Sequence, residues 1–93
     1  MIYEYPALFY NDSGKVAFHF YDIENLHSFG DDLDEAILAA QELLADYFWE
    51  REQNDDIETE PTDIQEVEVK ALQVVKMIEA DTEKYAALMA AQK

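Results

Sequence analysis

Acidic side chains are the most abundant groups in this sequence that could do chemistry, with 22 Asp and Glu among 93 residues. Cleavage of a phosphodiester bond by two metal ions requires several carboxylates that converge from strand centres and helix ends. In the predicted strands only Glu4 and the terminal Glu79 are acidic, and most other carboxylates lie on a predicted helix and in a polar loop. We therefore predict no catalytic residue, no bound metal and no cofactor, and we expect a protein that is not an enzyme.

The two histidines, His19 and His27, lie on neighbouring predicted strands and are the next candidates for metal binding or acid–base chemistry. Zinc sites in proteins use three or four protein ligands, and the sequence places no third ligand beside this pair. Cysteine is absent, which excludes thiolate ligands, cysteine nucleophiles and disulfides. Both histidines are therefore expected to be ordinary strand residues.

Aromatic residues on the predicted strands raise the question of RNA binding. Phe18 and Phe20 recur at the spacing of one strand face, which would suit base stacking. Lys15 is the only cation near them, and alternating aromatic residues on a hairpin usually form core, so we assign both to the core. Direct binding of nucleic acid by this chain alone is disfavoured, because its net charge is −16.

The negative charge is concentrated in the middle of the chain. Residues 31–66 have a net charge of −13, whereas residues 1–30 have −3 and residues 67–93 have none. Such a block attracts basic partners and repels phosphate backbones. The alternative, that the block only keeps the protein soluble, stays open. No apolar run reaches the roughly 18 residues of a membrane helix and no signal-peptide pattern opens the chain, so we expect a cytoplasmic protein without a membrane partner.

The elements that position these side chains are organised around one long predicted helix from Asp32 to Glu50. Asp32 can cap the first turn, and Glu35 completes a capping box. Apolar residues recur at helical spacing and predict one broad buried stripe, made of Leu33, Ala36, Ile37, Ala40, Leu43, Leu44 and Tyr47. A sheet formed by the preceding residues is expected to cover this stripe.

Alternating aromatic and β-branched residues predict strands over residues 2–10, 16–21 and 26–29. The Asn11-Asp12-Ser13-Gly14 turn joins the first two strands as a hairpin, and Pro6 indicates a sheet edge or a bulge. After a polar loop, a fourth strand is predicted at 72–79 and a short helix at 83–91. The expected fold class is α+β, an antiparallel sheet of about four strands in the chain order β-β-β-α-β-α, with the long helix on one face.

Three stretches of the chain match motifs of one protein family. The longest is similar to the family signature, in which a turn and a short strand lead into a Gly-Asp-Thr-x-Glu-Glu-Ala helix start; it reads Phe20-Tyr21-Asp22-Ile23-Glu24-Asn25-Leu26-His27-Ser28-Phe29-Gly30-Asp31-Asp32-Leu33-Asp34-Glu35-Ala36. Tyr5-Pro6-Ala7 resembles the start of the family's first strand. The segment from Val75 to Tyr85 resembles its last strand and closing helix. Pro, Pro, Gly and Thr are usual in the family where this chain has Tyr21, Glu24, Asn25 and Asp32.

Together these three stretches resemble HicB-type antitoxins, and the resemblance implies an incomplete ribonuclease H-like fold. We expect a single HicB-like domain over residues 1–93. Family members often carry a separate DNA-binding region after this domain, whereas we expect no separate DNA-binding domain here. The resemblance also implies an antitoxin that neutralises a small basic ribonuclease toxin by covering it. The alternative is an orphan HicB-like domain, of a kind described as RNA-binding, that acts as an intracellular oligomeric interaction module. A neighbouring gene for a small basic protein would favour the antitoxin.

Two surfaces are expected to bind other chains. The exposed acidic loop at 50–66 can adapt its shape to a basic partner, and its candidate contact residues are Asp55, Asp56, Ile57, Glu58 and Glu60. On the helix, Leu38, Ala45 and Trp49 form a second, narrower apolar line beside the acidic stripe. A loop or the last helix could cover this line, or it could be an interface between subunits.

We predict self-association, with a dimer as the first expectation. Sedimentation at micromolar protein concentration should show the dimer, because an apolar line and a sheet edge both remain to be covered. A dimer that persists in Trp49→Ala would place the interface at the sheet edge. Monomer at every concentration would contradict self-association.

Overall fold

A computed structural model describes residues 2–23, 25–54 and 60–91 of the chain. The elements are β1 (Ile2–Asp12), β2 (Lys15–Phe20), β3 (His27–Gly30), α1 (Leu33–Gln53), one turn of 3-10 helix (Ile64–Glu66), β4 (Val74–Asp81) and α2 (Thr82–Ala91). The strands form one antiparallel four-stranded sheet with the order β3-β2-β1-β4. The predicted fold class and element order are confirmed.

The residues between β1 and β2 form a tight hairpin turn, as their types predict. Ser13 and Gly14 both have positive φ angles, 55° and 84°. Two consecutive positive φ angles are typical of the tight hairpin turns whose twist matches that of the flanking strands. The predicted hairpin is therefore confirmed, and its strands continue right up to the turn.

Pro6 corrects one expectation, because β1 is neither an edge strand nor interrupted there by a bulge. It lies between β2 and β4, and Pro6 is paired with Met77. The Pro6 carbonyl oxygen accepts a hydrogen bond from Tyr21 N–H at 3.1 Å, so the polar groups of Pro6 face β2. The regular pairing between β1 and β2 ends one residue away, at Ala7 and Phe20. The missing N–H therefore falls where the ladder with β2 stops, and the sheet tolerates the proline.

The start of α1 is capped as predicted. The Glu35 N–H donates to Asp32 Oδ1 at 2.9 Å, while the Glu35 carboxylate accepts from the Asp31 N–H at 3.0 Å. The helix ends at Gln53, and Asn54 caps it. Residues 50–54 are therefore helix and helix cap, so the predicted loop beginning at residue 50 was placed too early.

The core lies between α1 and one face of the sheet. The helix contributes mainly small residues near its start, Ala36 and Ala40, and larger ones further on, Leu44 and Phe48. The predicted stripe is partly wrong, because Leu33 is 40% exposed. The strand side chains packed in this core are mostly aromatic: Tyr3, Tyr5, Ala7, Phe9, Phe18, Phe20, Ile78 and Ala80. On the helix side, the Phe48 ring packs against the rings of Tyr3 and Tyr5.

The other face of the sheet is partly covered by the segment 60–73. Val67 is buried, and the 3-10 turn contacts β4. The Thr62 N–H donates to Asp22 Oδ2 at 2.8 Å, and its hydroxyl donates to Asp22 Oδ1. These contacts fix the segment to the turn that follows β2, so residues 60–73 are not simply a solvated loop.

Substitutions at two leucines of α1 should separate core from surface. Leu44 is fully buried, so we expect Leu44→Ala to lower the free energy of unfolding by about 2–5 kcal/mol through lost burial and a cavity. Leu38 is 59% exposed. Leu38→Ala should therefore change this free energy by less than about 0.5 kcal/mol. Equal losses in urea denaturation would contradict the observed orientation of the helix.

Candidate partner interface

Most of the candidate contact residues in the acidic loop lie outside the described residues. Asp55, Asp56, Ile57 and Glu58 fall in the range 55–59, and only Glu60 is described, as an exposed residue at the start of the next segment. The partner-binding role of these five residues stays a prediction.

The predicted apolar line on α1 is divided by the structure. Leu38 is 59% exposed, but Ala45 is only 4% exposed and belongs to the core. Trp49 is half-buried, with its ring 6.3 Å from the ring of Tyr85 in α2. Ala45 is therefore corrected from a surface position to a core position, because the helix is rotated toward β4 and α2. Leu38 alone of the three stays open for contact with another chain.

Leu38 lies at the side of a groove of about 300 Å³ between α1, the end of β4 and the start of α2. Glu42 stands on the α1 side, Ala80 on the β4 side, and Lys84 and Tyr85 close the end formed by α2. The Tyr85 hydroxyl donates to Asp46 Oδ1 at 2.7 Å. This hydrogen bond, followed by desolvation, raises the pKa of Tyr85 to about 12. The groove therefore has an apolar wall and an acidic rim.

Glu52 holds the elements around this groove together. Its carboxylate accepts hydrogen bonds from the Tyr3 hydroxyl at 2.6 Å and from the Thr82 hydroxyl at 2.9 Å. Thr82 is buried, and desolvation together with the Glu52 hydrogen bond raises the pKa of Tyr3. The end of α1, the start of β1 and the start of α2 thus meet at one carboxylate. Sequence analysis placed Glu52 in a loop and missed this role, because both partners are distant in the chain.

A larger cavity of about 520 Å³ lies at the opposite edge of the sheet, beside β3. Tyr10, His27 and the 57% exposed Phe29 line it, together with Lys15. The Lys15 ammonium is 2.7 Å from Asp31 Oδ1 and 5.4 Å from the Phe29 ring centre. This cation is already paired with a carboxylate and an aromatic ring, so the cavity presents little free positive charge.

The two histidines lie directly opposite each other on β2 and β3. Desolvation lowers the pKa of His19, and the nearby His27 and Lys70 lower it further. Among the described residues there is no group of three or more His, Cys, Asp or Glu that could hold a metal ion. In the same part of the chain, no helix has the length and apolar character needed to cross a membrane.

The sheet order and the single long helix across one face define a HicB-like fold. Neither the models of known protein families nor the curated proteins include a match to this sequence. Two solved structures are similar. A toxin–antitoxin complex from Streptococcus pneumoniae has 24% identity, a TM-score of 0.81, and an alignment over 91% of this chain and 73% of that chain. The N-terminal domain of the Burkholderia pseudomallei antitoxin HicB has 22% identity, a TM-score of 0.71, and an alignment over 85% of this chain and 99% of that domain. The likeness establishes the fold.

The environment of His19 predicts a pH dependence of stability. Its pKa in the folded protein lies below the ordinary value of 6.5, so the unfolded chain binds more protons below that pH. The stabilising contribution of neutral His19 should be complete above pH 6.5 and should be lost as the pH falls below it. Urea denaturation at a series of pH values should show that the free energy of unfolding falls less at acid pH in His19→Gln than in the original protein. An identical pH profile in the variant would contradict this assignment.

Proposed function

We propose that this protein is an antitoxin-type binding protein that neutralises a small basic ribonuclease toxin by covering it. The observation that supports this most strongly is the HicB-like fold, shared with an antitoxin domain and with a chain of a toxin–antitoxin complex. The alignment with that chain covers 91% of this protein. We assign the chain a binding role without a catalytic step of its own, in the cytoplasm.

The charge of the chain supports a basic partner independently of the fold. All acidic residues of α1 except Glu52 are exposed: Asp34, Glu35, Glu42, Asp46 and Glu50. A toxin that acts on RNA needs a positive surface to attract phosphates. A protein with a net charge of −16 would be steered to that surface and would compete with RNA for it.

Growth rescue tests this proposal. The probe is the product of a small basic reading frame adjacent to the gene for this protein, expressed from an inducible promoter. We expect induction of the basic protein alone to arrest growth and co-expression of this protein to restore it, because the complex blocks the toxin. Leu44→Ala serves as a control for loss of folded protein. Growth arrest that persists beside soluble, folded protein would overturn the proposal and favour the orphan interaction module.

The acidic loop should contribute to the rate of encounter with that partner. The test variant neutralises the four loop acids: Asp55→Asn, Asp56→Asn, Glu58→Gln and Glu60→Gln. We expect the association rate at low salt to fall by about threefold to tenfold, with a weaker salt dependence, because these charges steer the approach. Stopped-flow or surface binding kinetics measure this.

A matched control removes four acids outside the block: Asp12→Asn, Glu24→Gln, Glu68→Gln and Glu83→Gln. It changes the net charge equally but leaves residues 31–66 intact. Loss of rate in the loop variant only would support the loop as the docking site. An unchanged association rate and salt dependence in the loop variant would leave the loop as a solubilising segment.

A further inference from the structure

The outer edge of β4 exposes backbone groups that no strand of the described chain pairs with. β4 lies at one end of the sheet and is paired only with β1. The polar groups of Pro6 face β2, so its partner in β4, Met77, does not bond to β1 and directs its N–H and C=O outward. Since the pattern repeats every second residue, Val75 and Glu79 do the same. Such an edge is a template for a further strand.

Two negatively charged side chains also lie directly opposite each other beside this edge. Glu4 and Glu79 are paired across β1 and β4, and both are exposed. They occupy a pair without mutual hydrogen bonds, the type in which the side chains come closest. Like charges directly opposite each other destabilise a sheet. Among the described residues no salt bridge joins either carboxylate to a cation. A cation supplied by another chain would remove this repulsion.

The other side of the same edge offers an apolar contact. The groove between α1 and β4 is open at Leu38, with Glu42 beside it. In an added strand, successive side chains would point alternately into this groove and toward the Glu4–Glu79 pair. An apolar residue would therefore pack on Leu38 while the next residue, if cationic, would lie near both carboxylates.

We propose that the free edge of β4 binds an extended, cationic segment of a protein partner as a fifth strand. The Lys or Arg side chains of this segment neutralise Glu4 and Glu79, and an apolar side chain fills the groove at Leu38. This inference rests on the proposed function, since the toxin would be the partner. Charge complementarity favours a cationic segment over a second copy of this chain at the β4 edge. A second copy would bring another net charge of −16 to the same acidic edge.

Hydrogen exchange on the full chain tests the edge directly. The probe is a capped heptapeptide of alternating lysine and valine. At saturation we expect exchange of the Val75, Met77 and Glu79 amides to slow by at least about tenfold. The amides between them, which already bond to β1, should change little. No slowing at the three outward amides would overturn the proposal. Protection that instead rises with protein concentration in the absence of peptide would assign the edge to a second copy and would also overturn it.

A double variant separates binding from folding. The double variant Glu4→Gln, Glu79→Gln should keep or raise the melting temperature, because it removes the repulsion between the two carboxylates. It should nevertheless weaken peptide binding about tenfold. Asp12→Asn with Glu68→Gln removes the same charge elsewhere and should weaken peptide binding by less than about threefold. Equal effects of the two double variants would contradict binding at β4. Growth rescue is a separate measurement, so a protein that rescues growth but fails here binds its toxin on another surface.

Discussion

The close approach of α1 to the sheet is the constraint on which the rest of the structure depends. A Cβ atom at Gly30 would lie 2.4 Å from the Ala36 backbone nitrogen, so no larger residue fits without moving the helix. Ala36 and Ala40 continue this close contact along the helix. Because the helix is near, the rings of Tyr3 and Phe48 stack with their centres 4.0 Å apart. The aromatic strands and the alanine-rich helix are therefore complementary parts of one packing solution.

This arrangement buries one face of the sheet with a single helix and leaves a negatively charged strand, β4, at one edge. The segment 60–73 covers part of the second face, but β4 has no further strand beside it among the described residues. The exposed carboxylates of α1 and the Glu4–Glu79 pair surround that edge with negative charge. The core is well packed, whereas the backbone N–H and C=O groups at the acidic edge of β4 have no partner strand in the described part of the chain. Such an edge is suited to binding a basic chain.

Local features could be predicted from the sequence, whereas features that join distant residues could not. The turn at Gly14 and the cap at Asp32 depend on a few neighbouring residues, and both formed as expected. The edge position given to Pro6 was wrong because β4, some 70 residues away, pairs with β1. Glu52 was placed in a loop because its hydroxyl partners come from β1 and α2. Ala45 was placed on the surface because periodicity gives the spacing of a helix face and not its rotation against the sheet.

Inhibition of a purified basic ribonuclease is the sharpest measurement of the proposed direct binding. Cleavage of a fluorescent RNA by the adjacent gene's basic product would be followed while this protein is added. If the protein covers the active surface tightly as proposed, activity should fall linearly to near zero at a fixed stoichiometric ratio. Undiminished cleavage at a large excess of folded protein would show that the protein does not inactivate the enzyme by binding it.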